Sequence, residues 1–199
     1  MQKNNKFIKS KTYKNLQTAF AGESQARNKY TYYASQAKKD GFNEIAKFFI
    51  ETADNEKEHA KIWFKLINDS KQTLNNLLDA ANGEHVEWTS MYKKFADEAK
   101  KEGFNTIAKL FTNVAEIEKA HEARFIQLAK LLKEKRLFNR KKVVAWKCSN
   151  CGQIVYATNA PKTCATCLHS QSYQEIMCDC NYQLDGCQCT IKRNKNKKI

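Results

Sequence analysis

Two acid–histidine pairs stand out by residue type and spacing. Glu56 precedes His59 and Glu118 precedes His121, each by three residues. Residues at this spacing share one face of an α-helix, so each pair presents a carboxylate and an imidazole side by side. Imidazole favours iron or manganese over magnesium, which prefers oxygen ligands. The pairs are therefore candidate metal ligands.

The pairs belong to an internal repeat. AKKDGFNEIAKFF at 37–49 recurs as AKKEGFNTIAKLF at 99–111, and the same offset relates the two histidines. With a slip of one residue, the repeat also aligns Glu23 with Glu84. The resulting order, Glu, Glu-x-x-His, Glu, Glu-x-x-His, is that of di-iron and di-manganese carboxylate bundles. Surface charges would explain one pair, but two equivalent sets favour a metal centre.

Several polar residues lie close to these positions. Glu87 follows Glu84 by one helical turn, and is either a seventh ligand or a solvated glutamate. Tyr30 and Tyr92 are related by the repeat, and are either hydrogen-bond donors to ligand carboxylates or aromatic core residues. His85 points off the ligand face and is not predicted to bind the metal.

The elements that position these residues are predicted to be helices. Apolar residues recur at three- and four-residue spacing in both halves, and Gly41 and Gly103 fit the residue after a helix end. We predict helices near residues 10–39, 43–68, 83–101 and 105–135. The 70–82 stretch links two helical hairpins, which predicts an all-α ferritin-like four-helix bundle. In such a bundle the two ligand faces would meet near a pseudo-twofold axis.

The cysteines form two clusters near the end of the chain. Cys148-x-x-Cys151 and Cys164-x-x-Cys167 predict a four-thiolate site for zinc or iron, with disulfides within each pair as the alternative. Zinc would be structural, and iron would carry one electron. The second cluster could bind Zn or Cu(I), form redox-labile disulfides or have no role. Its members are Cys178, Cys180, Cys187 and Cys189.

The net charge of +14 is unevenly distributed. Residues 130–147 carry eight Lys/Arg against one acidic residue, and residues 192–199 carry five against none. Such runs can bind nucleic acid, but no aromatic stacking platform accompanies them, so nucleic acid is disfavoured. A solvated joint and tail, or steering of an acidic redox partner, fit better. The absence of a long apolar run or secretory signal predicts a cytoplasmic protein without membrane association.

Over residues 10–177 the chain resembles the rubrerythrins. The most specific segments are AFAGESQARNKYTYYA at 19–34, ETADNEKEHAK at 51–61, GEHVEWTSMY at 83–92, WKCSNCG at 146–152 and APKTCATC at 160–167. The resemblance implies a non-haem di-iron peroxidase of oxidative-stress defence, which reduces hydrogen peroxide to water. Ferritin-like iron oxidation and storage is the alternative function.

The resemblance also implies residue roles. The two irons would be held by seven ligands: Glu23, Glu56, His59, Glu84, Glu87, Glu118 and His121. Glu56 and Glu118 would bridge the irons. On one iron Glu87 would bind in the oxidised state and His59 in the reduced state. Tyr30 and Tyr92 would donate hydrogen bonds to ligand carboxylates.

Electron transfer and assembly follow from the same resemblance. A single iron on the cysteines at 148–167 would relay electrons from an external donor, such as a rubredoxin or an NAD(P)H-linked reductase. A homodimer or higher homo-oligomer would bring this domain near the di-iron site of a partner chain. The predicted domains are a ferritin-like bundle, a basic linker, a rubredoxin-like domain and a cysteine-rich extension, at residues 1–136, 137–142, 143–177 and 178–199.

Overall fold

The computed structural model describes residues 5–68 and 72–177 of the chain. These residues divide into two compact units, 5–68 and 72–177. The cysteine-rich extension predicted at 178–199, including its four cysteines, lies outside the described residues. No helix in the described part of the chain is long and apolar enough to cross a membrane.

The first unit is a helical hairpin. Its helices are α1 (Asn5–Ile8), α2 (Lys11–Lys39) and α3 (Asn43–Ile67). Helix α2 begins after Ser10, whose Oγ accepts a hydrogen bond from the backbone N–H of Tyr13 at 3.1 Å. This side chain satisfies one of the amides that lack a partner in the first helical turn.

Glycine ends a helix at the tight turn of each repeat half. Gly41 and Gly103 have φ angles of 84° and 87°, in the left-handed region that favours glycine. The N–H of the residue after each glycine donates to the carbonyl five residues back, of Ala37 and Ala99 respectively, at 2.8 Å. This bond is the mark of a Schellman motif, and it places the next helix antiparallel to the first. Both turns lie where the sequence predicts them.

The second unit starts with a helix that was not predicted. Its helical elements are α4 (Thr73–Val86), a π-helix (Glu87–Met91), α5 (Tyr92–Lys101) and α6 (Asn105–Lys133). The prediction that helix begins near residue 83, after a link over 70–82, was wrong. Leu74, Leu77 and Ala81 recur at helical spacing and turn partly or fully buried side chains toward α6. That periodicity outweighs the expectation of a loop.

The π-helix accounts for the one-residue slip in the repeat. Glu23 and Tyr30 are seven residues apart, whereas Glu84 and Tyr92 are eight apart. A π-helical turn takes up one extra residue within an otherwise continuous helix. The insertion therefore keeps Glu84 and Tyr92 on one face of the helix, as the seven-residue spacing does in the first half.

Small residues fill the interface within each hairpin. In the first unit Ala34, Ala37 and Ala46 are buried, and Phe49 packs against them. Large apolar side chains remain on the surface of both hairpins. Phe48 is 67% exposed and its repeat equivalent, Leu110, is 58% exposed. A hairpin of two long helices therefore leaves part of its apolar surface uncovered.

A small antiparallel sheet follows the helices. Its elements are β1 (Asn139–Cys148), β2 (Ile154–Asn159), a 3₁₀-helix (Gln171–Tyr173) and β3 (Gln174–Ile176), in the strand order β2-β1-β3. Strand β1 begins inside the stretch predicted as a linker, 137–142. Trp146, on β1, is 1% exposed and donates an indole hydrogen bond to the carbonyl of Ala157 at 3.1 Å. This residue forms the centre of the small domain.

Candidate metal centres

The first hairpin brings three predicted ligands together. The ligand atoms of Glu23, Glu56 and His59 all lie within 4.8 Å of one another. Nδ1 of His59 lies 2.8 Å from Oε2 of Glu56, as their spacing on one turn of α3 predicts. Glu23 reaches the group from α2, so two antiparallel helices supply the set.

The carboxylates of this group stand close enough to perturb each other. The hydrogen bond with Glu56, burial and the negative charge of Glu56 together raise the pKa of Glu23 above its usual range. The His59 charge and the Trp63 indole lower this pKa, but by less. The Trp63 nitrogen is buried and makes no well-formed hydrogen bond among the described residues. A cation between the carboxylates would remove the repulsion that raises the pKa of Glu23.

The second hairpin repeats this arrangement. The ligand atoms of Glu84, Glu118 and His121 also lie within 4.8 Å of one another. Nδ1 of His121 lies 2.7 Å from Oε2 of Glu118 and 3.8 Å from Oε1 of Glu84. The two histidine–glutamate contacts differ by only 0.1 Å between the hairpins. The repeat in the sequence is therefore a repeat in site geometry.

Glu87 stands beside this second group but outside the 4.8 Å set. Burial, then Glu118, then the charge of Glu87 raise the pKa of Glu84. Burial, and then the charges of Glu87, Glu118 and Glu84, raise the pKa of Tyr92 as well. Tyr92 therefore keeps its phenolic proton next to an acidic cluster. Glu87 is the first residue of the π-helix, and its repeat equivalent in the first hairpin is Ala26.

The two tyrosines pack in matching aromatic clusters. The ring of Tyr30 lies 6.2 Å from Phe49, and Tyr33 lies 5.6 Å from the same phenylalanine. The Tyr92 ring lies 6.1 Å from that of Phe111, the repeat equivalent of Phe49. The rings thus form part of the core of each hairpin. Their role as donors to ligand carboxylates stays a prediction.

The four cysteines of the two C-x-x-C pairs converge at one point. The sulfur atoms of Cys148, Cys151, Cys164 and Cys167 all lie within 4.8 Å of one another. Sγ–Sγ distances are 3.7 Å for Cys148–Cys167 and 3.6 Å for Cys151–Cys164, far beyond a disulfide bond. All four are free thiols. Because all four are free, the alternative of a disulfide within each pair is not supported.

Two similar loops hold these cysteines. The N–H of Gly152 donates to the carbonyl of Cys148 at 2.8 Å, and the N–H of Leu168 donates to the carbonyl of Cys164 at 2.9 Å. Gly152 and Leu168 both adopt positive φ angles, of 79° and 60°. Each loop thus folds its pair of sulfurs back toward the other pair.

The thiols do not ionise alike. The backbone N–H of Gln153 lowers the pKa of Cys151, but burial and the neighbouring thiols outweigh it and raise the pKa to about 12. The backbone N–H of His169 lowers the pKa of Cys167 to about 6. Four close sulfurs therefore do not all carry negative charge unless a cation lies between them.

The donor chemistry of all three groups fits metal ions. Carboxylates with one imidazole suit iron or manganese, and four convergent thiols suit zinc or iron. Neighbouring acidic groups help to raise the pKa values of Glu23, Glu84 and Cys151. A cation among these donors would relieve that repulsion, which is consistent with metal binding.

Two residues near the helical groups were not predicted. Trp63 lies one turn beyond His59, on the same face of α3, so its i, i+4 spacing was an available signal. Glu122 lies 3.0 Å from Nδ1 of His85, across 37 residues of sequence. No local pattern indicates that second pairing.

Comparisons with known proteins show the family of the chain. The family model described as Rubrerythrin matches residues 14–129 and 75–176. Rubrerythrin of Clostridium perfringens is 45% identical over 184 residues, which cover 84% of this chain and 94% of that protein. Rubrerythrin of Nitratidesulfovibrio vulgaris is 44% identical over 181 residues, which cover 84% of this chain and 95% of that protein.

Solved structures of nigerythrin are similar as well. The partially reduced state covers 88% of this chain and 90% of that chain at 25% identity, with a TM-score of 0.34. Because that score is low, the assignment rests on the sequence comparisons. They confirm the predicted fold class, a ferritin-like helical region followed by a rubredoxin-like cysteine domain. The chain belongs to the rubrerythrin family.

Proposed function

We propose that the chain is a non-haem di-iron peroxidase of oxidative-stress defence. Each hydrogen peroxide molecule takes up two electrons and two protons, its O–O bond breaks, and two water molecules form. The observation that carries the proposal is the combination in one rubrerythrin-family chain of two carboxylate–histidine groups and one four-cysteine group. The first two suit peroxide chemistry, and the third suits one-electron transfer.

The proposed ligands of the two irons are the residues predicted from the sequence: Glu23, Glu56, His59, Glu84, Glu87, Glu118 and His121. When bound, the iron would supply the two electrons for O–O cleavage. The chain's own contribution is a fixed carboxylate beside each imidazole, at 2.8 Å in Glu56–His59 and 2.7 Å in Glu118–His121. Helical spacing sets both contacts, so the donors are arranged before metal binds.

Proton supply is proposed to come from a residue next to these ligands. The raised pKa of Tyr92 keeps its hydroxyl protonated, so it can donate to a neighbouring carboxylate rather than compete for metal. Tyr92 would thus hold a proton close to the place where peroxide oxygens become water.

The four-cysteine group is proposed to hold a single iron that returns electrons. Cys148 and Cys164 are buried, whereas Cys151 is exposed at the surface. An exposed ligand gives an external donor, such as a rubredoxin or an NAD(P)H-linked reductase, a short path to the site. The exposed Lys141 and Lys142 on β1 suit an acidic donor. A homodimer or higher homo-oligomer is part of this proposal.

Ferritin-like iron oxidation and storage would use the carboxylates alone. It leaves the free, convergent thiols at 148–167 without a role. Peroxide reduction uses both kinds of group, which is why we favour it.

The test follows the colour of the thiolate-bound iron. Protein is purified without oxygen, reduced, and mixed with hydrogen peroxide while the visible spectrum is recorded. We expect rapid return of the oxidised chromophore. Glu56→Ala should slow it by more than the roughly 10–100-fold that loss of an outer hydrogen-bond partner costs a metal site. Glu51→Ala, an exposed glutamate on the same helix, is the matched control and should not change the rate.

Two results would contradict the proposal. One is a protein that contains zinc alone and leaves peroxide unchanged. The other is a Glu56→Ala variant that reoxidises as fast as the Glu51→Ala control.

A further inference from the structure

One hydrogen-bonded cluster lies beside the second metal-ligand group. Its members each directly follow a proposed ligand in the sequence: His85, Trp88 and Glu122. Oε1 of Glu122 lies 3.0 Å from Nδ1 of His85, and Oε2 accepts a hydrogen bond from the indole N–H of Trp88. The rings of His85 and Trp88 meet edge to face, with centroids 5.7 Å apart. We call these three residues the Glu122 clamp.

The clamp joins α6 to both sides of a helix irregularity. His85 lies in the last turn of α4, and Trp88 lies in the π-helix that follows. Between them is Glu87, the first residue of that π-helix. Both oxygens of Glu122 are used, and its side chain is only 17% exposed. A carboxylate held at both oxygens fixes two points of the opposite helix, one before and one after Glu87.

The described residues of the first hairpin form no such cluster. The repeat aligns Ser24 with His85, Arg27 with Trp88, and Ala60 with Glu122. Ala60 has no polar side-chain atom, so these positions cannot form the same bonds. An open cavity of about 340 Å³ occupies this place instead, lined by residues that include Phe20, Ser24, Arg27, Ala60 and Phe64.

This difference coincides with the other asymmetry of the repeat. The hairpin with the clamp also carries the additional carboxylate, Glu87, where the first hairpin has Ala26. The π-helix that begins at Glu87 is likewise found in the second hairpin and not in α2. Clamp, π-helix and additional carboxylate thus occur together.

We propose that Glu122 is a positioning residue: through His85 and Trp88 it fixes the π-helical segment so that Glu87 is held in place as a metal ligand. The inference rests on the proposed function in taking Glu87 as a ligand. Outer partners that orient a ligand typically contribute 10–100-fold to metal affinity. Glu122 itself contacts neither metal nor peroxide in this account.

The experiment measures metal affinity without turnover. In full-length protein the cysteine site is first filled with one equivalent of zinc, and Co(II) is then titrated anaerobically while its visible absorption is followed. Glu122→Ala and Trp88→Phe should each weaken Co(II) binding by roughly 10–100-fold and change the cobalt spectrum. Glu122→Gln keeps an oxygen for Trp88 and should retain most of the affinity. Glu116→Ala, an exposed glutamate on the same helix, is the matched control.

A double-mutant cycle separates positioning of Glu87 from a general loss of structure. In a Glu87→Ala background, Glu122→Ala should weaken Co(II) binding no further, because the ligand it positions is gone. An equal loss in both backgrounds would overturn the inference, as would wild-type affinity in Glu122→Ala. Trp88→Phe provides the same test if Glu122→Ala fails to fold. Failure of the wild-type protein to bind Co(II) at the carboxylates would instead count against the proposed function.

Discussion

Removal of metal from the four-cysteine site should unfold the small domain and leave the helices intact. The buried residues of the described chain beyond residue 138 are Trp146, Cys148, Ala160, Cys164 and Gln174. Two of these five are proposed metal ligands. A domain whose core consists so largely of its metal site has little else to hold it together.

Two magnitudes decide the outcome. A single hydrophobic core in a domain below about 70–80 residues rarely supplies more than roughly 3–5 kcal/mol. A structural metal in a small thiolate or imidazole site contributes an apparent 10–16 kcal/mol or so at neutral pH. Residues 139–177 form a domain close to the size, about 40 residues, below which a chain usually needs a metal or disulfides to fold, so its core falls short of even the smaller contribution. The metal-free domain is therefore expected to be unfolded at 25 °C.

Hydrogen exchange of the full-length protein, before and after anaerobic chelation, tests this expectation. The N–H of Cys148 donates to Gln153 and the N–H of Ser149 donates to Tyr173, both at 2.8 Å, and both should lose protection. Amides of α3 should keep theirs, which serves as the internal control. Cys148→Ser should behave like the chelated protein, and Ser149→Ala, which leaves all four thiols, should not. Continued protection of the Cys148 amide without metal would refute the reasoning.

Three further predictions concern the helical region. Because the pKa values of Glu23 and Glu84 are raised in the folded, metal-free protein, these residues stabilise it most at low pH, and this stabilisation is lost as the pH rises through the raised values. In urea unfolding, the free energy of unfolding should therefore depend less on pH when both residues are replaced by Gln. Gly41→Ala should destabilise the protein by about 1–2 kcal/mol because residue 41 has a left-handed backbone conformation. Gly22→Ala lies in mid-helix with open space at Cβ and should stabilise the protein by roughly 0.5–1 kcal/mol. The two substitutions should therefore shift the midpoint of denaturant unfolding in opposite directions. Tyr92→Phe should slow peroxide consumption by roughly 10–100-fold with iron content unchanged, as measured by steady-state kinetics; an unchanged rate would contradict its donor role.

Local patterns in the sequence were sufficient to predict the hairpins. Helical spacing brings His59 next to Glu56, and Gly41 and Gly103 lie where the first long helix of each repeat half ends. Two C-x-x-C pairs are enough to predict that four sulfurs converge. In each case the interacting residues are near in sequence, or the repeat supplies the second copy.

The start of α4, the π-helix and the Glu122–His85 contact do not follow from the local patterns alone. The start of α4 at Thr73 was visible in the apolar spacing but was overruled by an expectation about crossover length. The π-helix corresponds to the extra residue between Glu84 and Tyr92, which a prediction of regular α-helix does not accommodate. The contact of Glu122 with His85 joins different helices, so only the packed structure reveals it.

We propose that this chain reduces hydrogen peroxide at a carboxylate-bound pair of irons. The most direct measurement is a titration of the fully reduced, iron-loaded protein with substoichiometric hydrogen peroxide, with Mössbauer spectra recorded at each step. We expect one peroxide to be consumed for every two ferrous ions oxidised, with the carboxylate-bound irons oxidised first. Iron bound at the cysteines alone, with peroxide left unconsumed, would contradict it.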